Sequence, residues 1–172
     1  MLKKTILVLG TLLLTVAIAA GCGQKTEEPK PGDQTQVEQP AEQTLKIQSF
    51  YTDDQIMNLV PKDTEIKFSD VKDKYLAALK SLQKTDDEKL IALWDKSEFL
   101  SAALKDDGAL TVDVKIPEDA HLGASGEDLA LQALLKTSFQ FDEVKTVDIL
   151  VDGKSVDSLM GHVELEHPFN RN

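Results

Sequence analysis

The chain has 172 residues, a formal net charge of −11 and a single cysteine. An acidic surface repels phosphate backbones, which disfavours nucleic acid as a partner. One cysteine excludes an internal disulfide, a thiolate metal cage and a redox pair. The length leaves room for one domain once an export signal has been removed.

Residues 1–21 have the pattern of such a signal. Two lysines precede an uncharged, mostly apolar run from Ile6 to Ala20, which is shorter than the roughly 20 apolar residues of a membrane-spanning helix. The run leads into Cys22, and this ending resembles the lipobox of bacterial lipoproteins, where the cysteine thiol receives a diacylglyceryl group. We therefore expect a lipid anchor at Cys22 that holds the protein on the extracytoplasmic face of the cell membrane. The alternative is an incidental cysteine beside an ordinary secretory cleavage site.

Residues 22–44 are predicted to be the lipidated cysteine and a disordered acidic linker. The stretch Gln24 to Thr44 contains three prolines, one glycine and five carboxylates, and Val37 is its only aliphatic residue larger than alanine. Such a segment buries too little apolar surface to offset its ordering entropy. Its r.m.s. reach is roughly 25 Å. Residues 45–172 are assigned to one domain.

The first half of this domain predicts two strands and a helix. Leu45 to Tyr51 alternates with a period of two, as in a half-buried strand. A second short strand is predicted over Ile56 to Val60, with its end at Pro61. Ser69 offers an N-cap oxygen, and apolar residues at helical spacing predict a helix from Asp70 to about Lys84.

The second half predicts a hairpin and two closing strands. Phe99 to Ile116 contains two extended runs around Asp106–Gly108, and Asp-Gly favours a tight hairpin turn. The alternating run Val144 to Val151 predicts a strand that meets a second Asp-Gly turn at 152–153. A final strand is predicted near His162 to Glu166.

Between these strands, a second helix is predicted with Ser125 as its N-cap and Asp128 as a capping-box acid, running toward Phe139. It is apolar over more than half its circumference, so it must touch more than a sheet. Packing beside the first helix is the favoured interpretation, and a face covered by a partner is the alternative. The order of elements predicts an α+β domain in which a mixed sheet carries two main helices on one side.

The C-terminal half contains the stretch GASGEDLALQALLKTSFQFDEVKTVDILVDGK, followed by GHVELEHPF. This combination resembles the GerMN domain of sporulation and spore germination lipoproteins, and the resemblance covers about Leu45 to Phe169. Ser125 and Glu127 match the Ser and Glu that open the helix in that family. Gly161 and His162 match its closing Gly-His dipeptide.

The resemblance implies a fold similar to the ring-building domains of secretion-like complexes. It also implies a lipid-anchored, non-catalytic binding or scaffolding domain, used in envelope assembly during sporulation or germination, with another envelope protein as partner. The contact residues chosen by resemblance are Ser125, Glu127, Gly161 and His162. No cofactor and no catalytic residue are assigned.

Two other functions stay open as alternatives. A cell-wall hydrolase would need a nucleophile, but the elbow-like start before Ser125 lacks the second glycine, where Glu127 stands. His121 and His167 are conceivable bases, and their spacing selects neither. A small-ligand-binding lipoprotein of a transporter is disfavoured, because one domain of this size leaves little room for two lobes around a cleft.

A metal site is a further alternative. His162, Glu164 and Glu166 would share one face of the predicted final strand, and such a set could hold a divalent cation. A solvated strand face is the favoured interpretation, and no metal ligand is assigned.

Overall fold

A computed structural model describes residues 41–171 of the chain. The predicted export signal, Cys22 and the linker up to residue 40 lie outside the described residues. The described part contains two strands, a helix, two strands, a second helix and three further strands, with short 3-10 turns between them.

The first two strands form an antiparallel ribbon. β1 spans Gln43–Thr52 and β2 spans Leu59–Phe68. β1 contains the predicted first strand and begins two residues earlier. The prediction that the second strand covers Ile56 to Val60 and ends at Pro61 is wrong, because most of that segment forms the turn and Pro61 lies inside β2.

The turn between β1 and β2 is fastened by one side chain. The Asp53 carboxylate accepts a hydrogen bond from the backbone N–H of Met57 (2.9 Å) and one from the Asn58 amide (2.8 Å). Ile56 lies in this turn with φ +53°, a conformation that is rare for a β-branched residue. A local side-chain contact therefore overrides the strand preference of Ile56.

Pro61 fits inside β2 because the backbone N–H of a residue at this position would not donate to β1. Thr52 exchanges backbone hydrogen bonds with Ile91 on the side of β1 away from β2. Backbone groups two residues apart in a strand face the same side, so those of Phe50 also face away from β2. Pro61 pairs with Phe50, and its missing N–H would have faced the free edge of β2.

The first helix forms at the predicted place but in three pieces. A 3-10 turn at Val71–Asp73 leads into α1 (Lys74–Lys80), and a second 3-10 turn follows at Ser81–Gln83. The predicted cap at Ser69 is wrong, because it is the Asp70 side chain that accepts the backbone bond at the start. The buried face carries Tyr75, Ala78, Leu79 and Leu82.

The predicted hairpin is confirmed as β3 (Glu98–Leu104) and β4 (Ala109–Lys115). Gly108 ends the turn with φ +92°. A Cβ at this position would lie 2.8 Å from Cγ of Lys145 and 2.9 Å from the carbonyl oxygen of Glu143. Only glycine meets both the conformation and the space.

A crossover helix then makes the sheet mixed. α2 (Ala124–Phe139) leads to β5 (Thr146–Val151), which pairs parallel to β4. The predicted turn at Asp152 and Gly153 is confirmed, with φ of +49° and +73°, and joins β5 to the antiparallel β6 (Lys154–Ser155). The parallel pair needs the long connection that α2 provides.

The predicted final strand over His162 to Glu166 is wrong. That segment consists of turns with one isolated bridge, Ser158 opposite Glu164. The backbone N–H of His162 donates to the Glu127 carboxylate instead of to a neighbouring strand, as does that of Met160 just before it. The last strand is β7 (Phe169–Asn170), which pairs antiparallel with β5.

The core lies on one face of the mixed sheet. Side chains that alternate with the buried ones, such as those of Thr111, Asp113 and Asp148, stay partly exposed. The buried face joins both helices in one hydrophobic cluster. The predicted α+β fold with a mixed sheet, two helices and hairpins is confirmed. The sheet contributes Leu110, Val112, Val114, Val147 and Ile149 to this core.

The apolar circumference of α2 is largely covered by its own chain. α2 contacts both α1 and β1, which confirms the predicted packing beside the first helix. Trp94, from the irregular stretch before β3, is 1% exposed. Its Nε1 donates to the carbonyl oxygen of Ala130 (3.0 Å), and its ring lies 4.9 Å from that of Phe99. The irregular stretch before β3 is therefore part of the core.

Trp94→Ala is expected to lower the free energy of unfolding by about 3–5 kcal/mol, because it leaves a cavity against α2. Trp94→Phe should cost less, since it keeps most of the ring and loses mainly the hydrogen bond, worth about 1 kcal/mol. Urea unfolding followed by circular dichroism measures both variants. A Trp94→Ala loss below about 1 kcal/mol would show that the loop is not part of the cooperative core.

Candidate functional site

Glu127, in the first turn of α2, is a fully buried carboxylate. Glutamate side chains are almost never fully buried unless they are paired. The helix N-terminus favours a negative charge in its first turn. This position therefore needs further hydrogen-bond donors from elsewhere in the chain.

The donors come from the segment Ser158–His162. Oε1 accepts from the Ser158 hydroxyl (2.7 Å) and from the backbone N–H of Met160 (3.0 Å). Oε2 accepts from the backbone N–H of His162 and from its ring Nδ1, both at 3.0 Å. The Gly161 N–H in turn donates to the Ser158 hydroxyl oxygen (2.7 Å). One carboxylate thus determines the conformation of a whole turn.

Burial by itself raises the pKa of the Glu127 carboxyl. The hydrogen bonds from Ser158, Met160 and His162 more than offset this effect, and the net pKa lies below the ordinary 4.5. Glu127 is therefore ionised at neutral pH. An ionised carboxylate accepts only, so the His162 ring donates through Nδ1.

The structure brings three of the four candidate contact residues together. Glu127 binds His162 directly and Gly161 through Ser158, while Ser125 lies two residues before Glu127 in the same helix. Gly161 and His162 are exposed and form a small polar surface above the buried carboxylate, whereas the exposed Ser125 lies two helical positions from Glu127, and such positions do not share a helix face. Ser158 and Met160 were missed, because nothing local marks residues whose partner lies about thirty positions away.

The predicted cap at Ser125 is wrong. Gly123 occupies the N-cap position, and no side chain makes a cap hydrogen bond there. Asp128, the predicted capping-box acid, accepts instead from the Gln132 amide (2.7 Å). The Ser125 hydroxyl is therefore not used by the helix start.

A second polar cluster has the residue types of a catalytic triad. His167 Nδ1 contacts Asp148 (2.7 Å), and Nε2 lies 3.2 Å from the Ser155 hydroxyl and 2.9 Å from the carbonyl oxygen of Val156. A carbonyl only accepts, so Nε2 carries a proton while Nδ1 donates to the carboxylate. This arrangement holds a protonated ring, whereas a general base needs a free ring nitrogen.

The electrostatics of His167 agree with this assignment. The hydrogen bond to Asp148, with that to Val156, raises the pKa of the ring above its ordinary value of 6.5. A raised pKa contributes stability below the pKa of the unfolded chain, and that stability is lost as pH rises through the folded pKa. The cluster therefore links the C-terminal segment to β5.

The proposed strand face for a metal does not exist, because His162, Glu164 and Glu166 are not on a strand. Within residues 41–171, no three His, Cys, Asp or Glu side chains gather in an arrangement that could hold a metal ion. Over the same range, none of the helices has the length and apolar character needed to cross a membrane.

The sequence matches the model of a protein family described as Germane, sporulation and spore germination, over residues 23–157. No curated protein matches the chain.

Solved structures share the fold. A candidate lipoprotein from Clostridium perfringens superposes with a TM-score of 0.51 at 22% identity, covering 76% of this chain and 88% of that one. The first GerMN domain of the sporulation protein GerM from Bacillus subtilis gives 0.58 at 14% identity, covering 74% and 98%. The tandem GerMN domains of the same protein give 0.54 at 20% identity, covering 75% of this chain and 46% of that one. The predicted resemblance to GerMN domains is confirmed at the level of the fold.

Glu127→Gln is expected to destabilise the domain by about 2–4 kcal/mol near neutral pH, because an NH₂ group replaces an acceptor that faces buried donors. A lowered pKa contributes stability that is present above the unfolded pKa and is lost as pH falls through the folded pKa. The difference from wild type should therefore shrink below pH of about 4.5. Urea unfolding as a function of pH measures it.

Glu118→Gln, at an exposed acid, is the matched control and should change stability by less than about 0.5 kcal/mol. Equal unfolding curves for Glu127→Gln and Glu118→Gln would contradict the role assigned to Glu127.

Proposed function

Because the chain belongs to the Germane family of sporulation and spore germination proteins, we propose that it is a lipid-anchored binding or scaffolding protein of the cell envelope. In this proposal it acts on the extracytoplasmic face of the membrane, during sporulation or germination, and has no catalytic role. The observation that carries the proposal is the polar surface above Glu127. It is exposed, and hydrogen bonds to the Glu127 carboxylate hold it in one conformation.

The fixed conformation of the Ser158–His162 turn favours binding. A surface that is already ordered loses less conformational entropy when a partner arrives. The Ser158–His162 turn is held by four hydrogen bonds to one carboxylate. The partner would therefore meet the exposed Gly161 and the His162 ring in one arrangement.

The chemistry of this surface supports binding rather than turnover. The Ser158 hydroxyl donates to Glu127 and accepts from Gly161, so it is occupied as a structural group. The His167 ring is held in its protonated form by Asp148 and Val156. Neither arrangement offers an activated nucleophile with a free base.

Lipid anchoring rests on the residues before the domain. Cys22 follows the apolar run directly, and one of the structures with this fold is a candidate lipoprotein. A single fatty chain holds a protein only weakly, so the two or three chains of a lipoprotein cysteine would be needed for stable attachment. The acidic linker would then separate the domain from the lipid surface.

The anchor predicts a clear labelling result. Cells that express the full chain and are fed an alkyne analogue of palmitate should yield a labelled protein in the membrane fraction. Cys22→Ala should be unlabelled, because the chain has no other thiol. Gln24→Ala, two residues on, is the control and should keep the label. Wild-type protein without label would overturn the anchor.

The binding surface is tested with a photo-cross-linking amino acid placed singly at positions 125, 162 and 101. Ser125 and His162 are exposed candidate contact residues, and Ser101 is exposed on β3 as the matched control. We expect the first two positions to capture the same envelope protein and position 101 to capture none. Capture at all three positions, or at none, would contradict the proposed surface.

Wall-substrate turnover by the purified chain that is lost in Ser125→Ala would favour the hydrolase alternative.

A further inference from the structure

One face of α2 is only partly covered by the rest of the domain. Gln132, Leu135, Lys136 and Phe139 recur at helical spacing and so lie along one side of the helix. Leu135 and Phe139 are half-buried, and Lys136 is exposed. This stripe forms one wall of a groove of about 540 Å³.

The other wall is the C-terminal segment, which is fastened at both ends. At its start, His162 binds Glu127 at the beginning of α2. At its end, the Arg171 guanidinium donates through Nε and Nη2 to the carbonyl of Val144, just after α2 (2.9 and 2.7 Å). The segment therefore runs alongside α2 with a fixed path, and the groove exists before any ligand arrives.

The lining combines an apolar floor with positive charge. Leu135, Phe139 and Phe169 provide half-buried apolar surface, and the Arg171 guanidinium lies 5.5 Å from the centre of the Phe139 ring. Lys136 is the second cation, and Glu166 is the only acid in the lining. Within residues 41–171, neither Lys136 nor Arg171 takes part in an ion pair.

What sets Lys136 and Arg171 apart is that both line the same apolar groove. Nε and Nη2 of Arg171 are used by backbone carbonyls, and Nη1 has no hydrogen-bond partner in the described part of the chain. The groove can thus offer the Lys136 ammonium, which lies 6.0 Å from the centre of the Phe50 ring, and one guanidinium NH₂ group beside aromatic surface. A ligand that complements it carries an acceptor anion next to an apolar group.

We propose that this groove binds an extended segment of another protein in which an apolar side chain is flanked by an acidic one. The apolar side chain packs against Leu135, Phe139 and Phe169, and the carboxylate pairs with Lys136 and Arg171. Repulsion from the rest of the acidic domain is screened beyond about 8 Å at physiological salt, so the contact pairs dominate. The groove volume falls within the usual range of preformed binding sites.

This groove is separate from the surface above Glu127. Lys136 follows Glu127 by nine positions, which places it roughly 13 Å further along the helix axis. The inference does not depend on the proposed function, because the groove could be occupied in a protein of any role.

The test uses the full-length chain and two hexapeptides that carry fluorescein on the N-terminal amine, fluorescein-SELFES-amide and its counterpart without glutamates, fluorescein-SQLFQS-amide. Fluorescence anisotropy in about 0.15 M salt gives both dissociation constants. We expect the acidic peptide to bind about fivefold more tightly, because only it can form the charge-assisted contacts. Lys136→Gln should reduce that difference, because only Arg171 is then left to pair with the carboxylate, and Leu135→Ser should weaken both peptides.

Lys115→Gln, at an exposed lysine on β4, is the matched control and should leave both affinities unchanged. Equal binding of the two peptides, no binding of either, or equal effects of Lys136→Gln and Lys115→Gln would overturn the proposal. So would displacement of the acidic peptide by phosphatidylglycerol vesicles, or self-association of wild type that Lys136→Gln abolishes, since these assign the groove to lipid or to a second copy.

Discussion

The buried Glu127 carboxylate is the contact on which the C-terminal half of the domain depends. An ion removed from water is tolerated only when donors surround it, because an unpaired buried charge costs several kcal/mol. The chain meets this requirement by turning Ser158–His162 toward the start of α2. The same requirement explains why the segment forms turns, since its backbone donors are used by the carboxylate.

The opposite end of α2 is fastened by a second set of charged contacts. The Glu143 carboxylate accepts from Lys74 (2.5 Å) and from the Tyr75 hydroxyl (2.7 Å), and the bond from Lys74 contributes most to a pKa lowered to about 2. Arg171 binds the carbonyl of Val144 beside it. α2 therefore connects two stabilised regions, and the candidate binding surface and the groove lie toward its two ends.

Local sequence signals predicted the elements that local chemistry decides. Both Asp-Gly turns formed, because few residues other than glycine accept a positive φ, and the period-two and helical patterns located β1, α1 and α2. The errors fall where a distant or side-chain contact replaces the local preference. Ile56 is held in a turn by Asp53, and the helix α2 begins without the side-chain cap expected from Ser125.

The features of the candidate site likewise fall into those that the sequence predicts and those that depend on tertiary contacts. The sequence by itself determined the acidic charge, the single domain with its mixed sheet and two helices, and the residues that resemble a GerMN domain, because these follow from composition, periodicity and motif order. Only the tertiary structure decided that Glu127 is buried, that Trp94 packs on α2, and that Lys136 and Arg171 line one groove. Those facts depend on which distant segments meet, and no local pattern encodes the partner of a side chain that lies dozens of residues away.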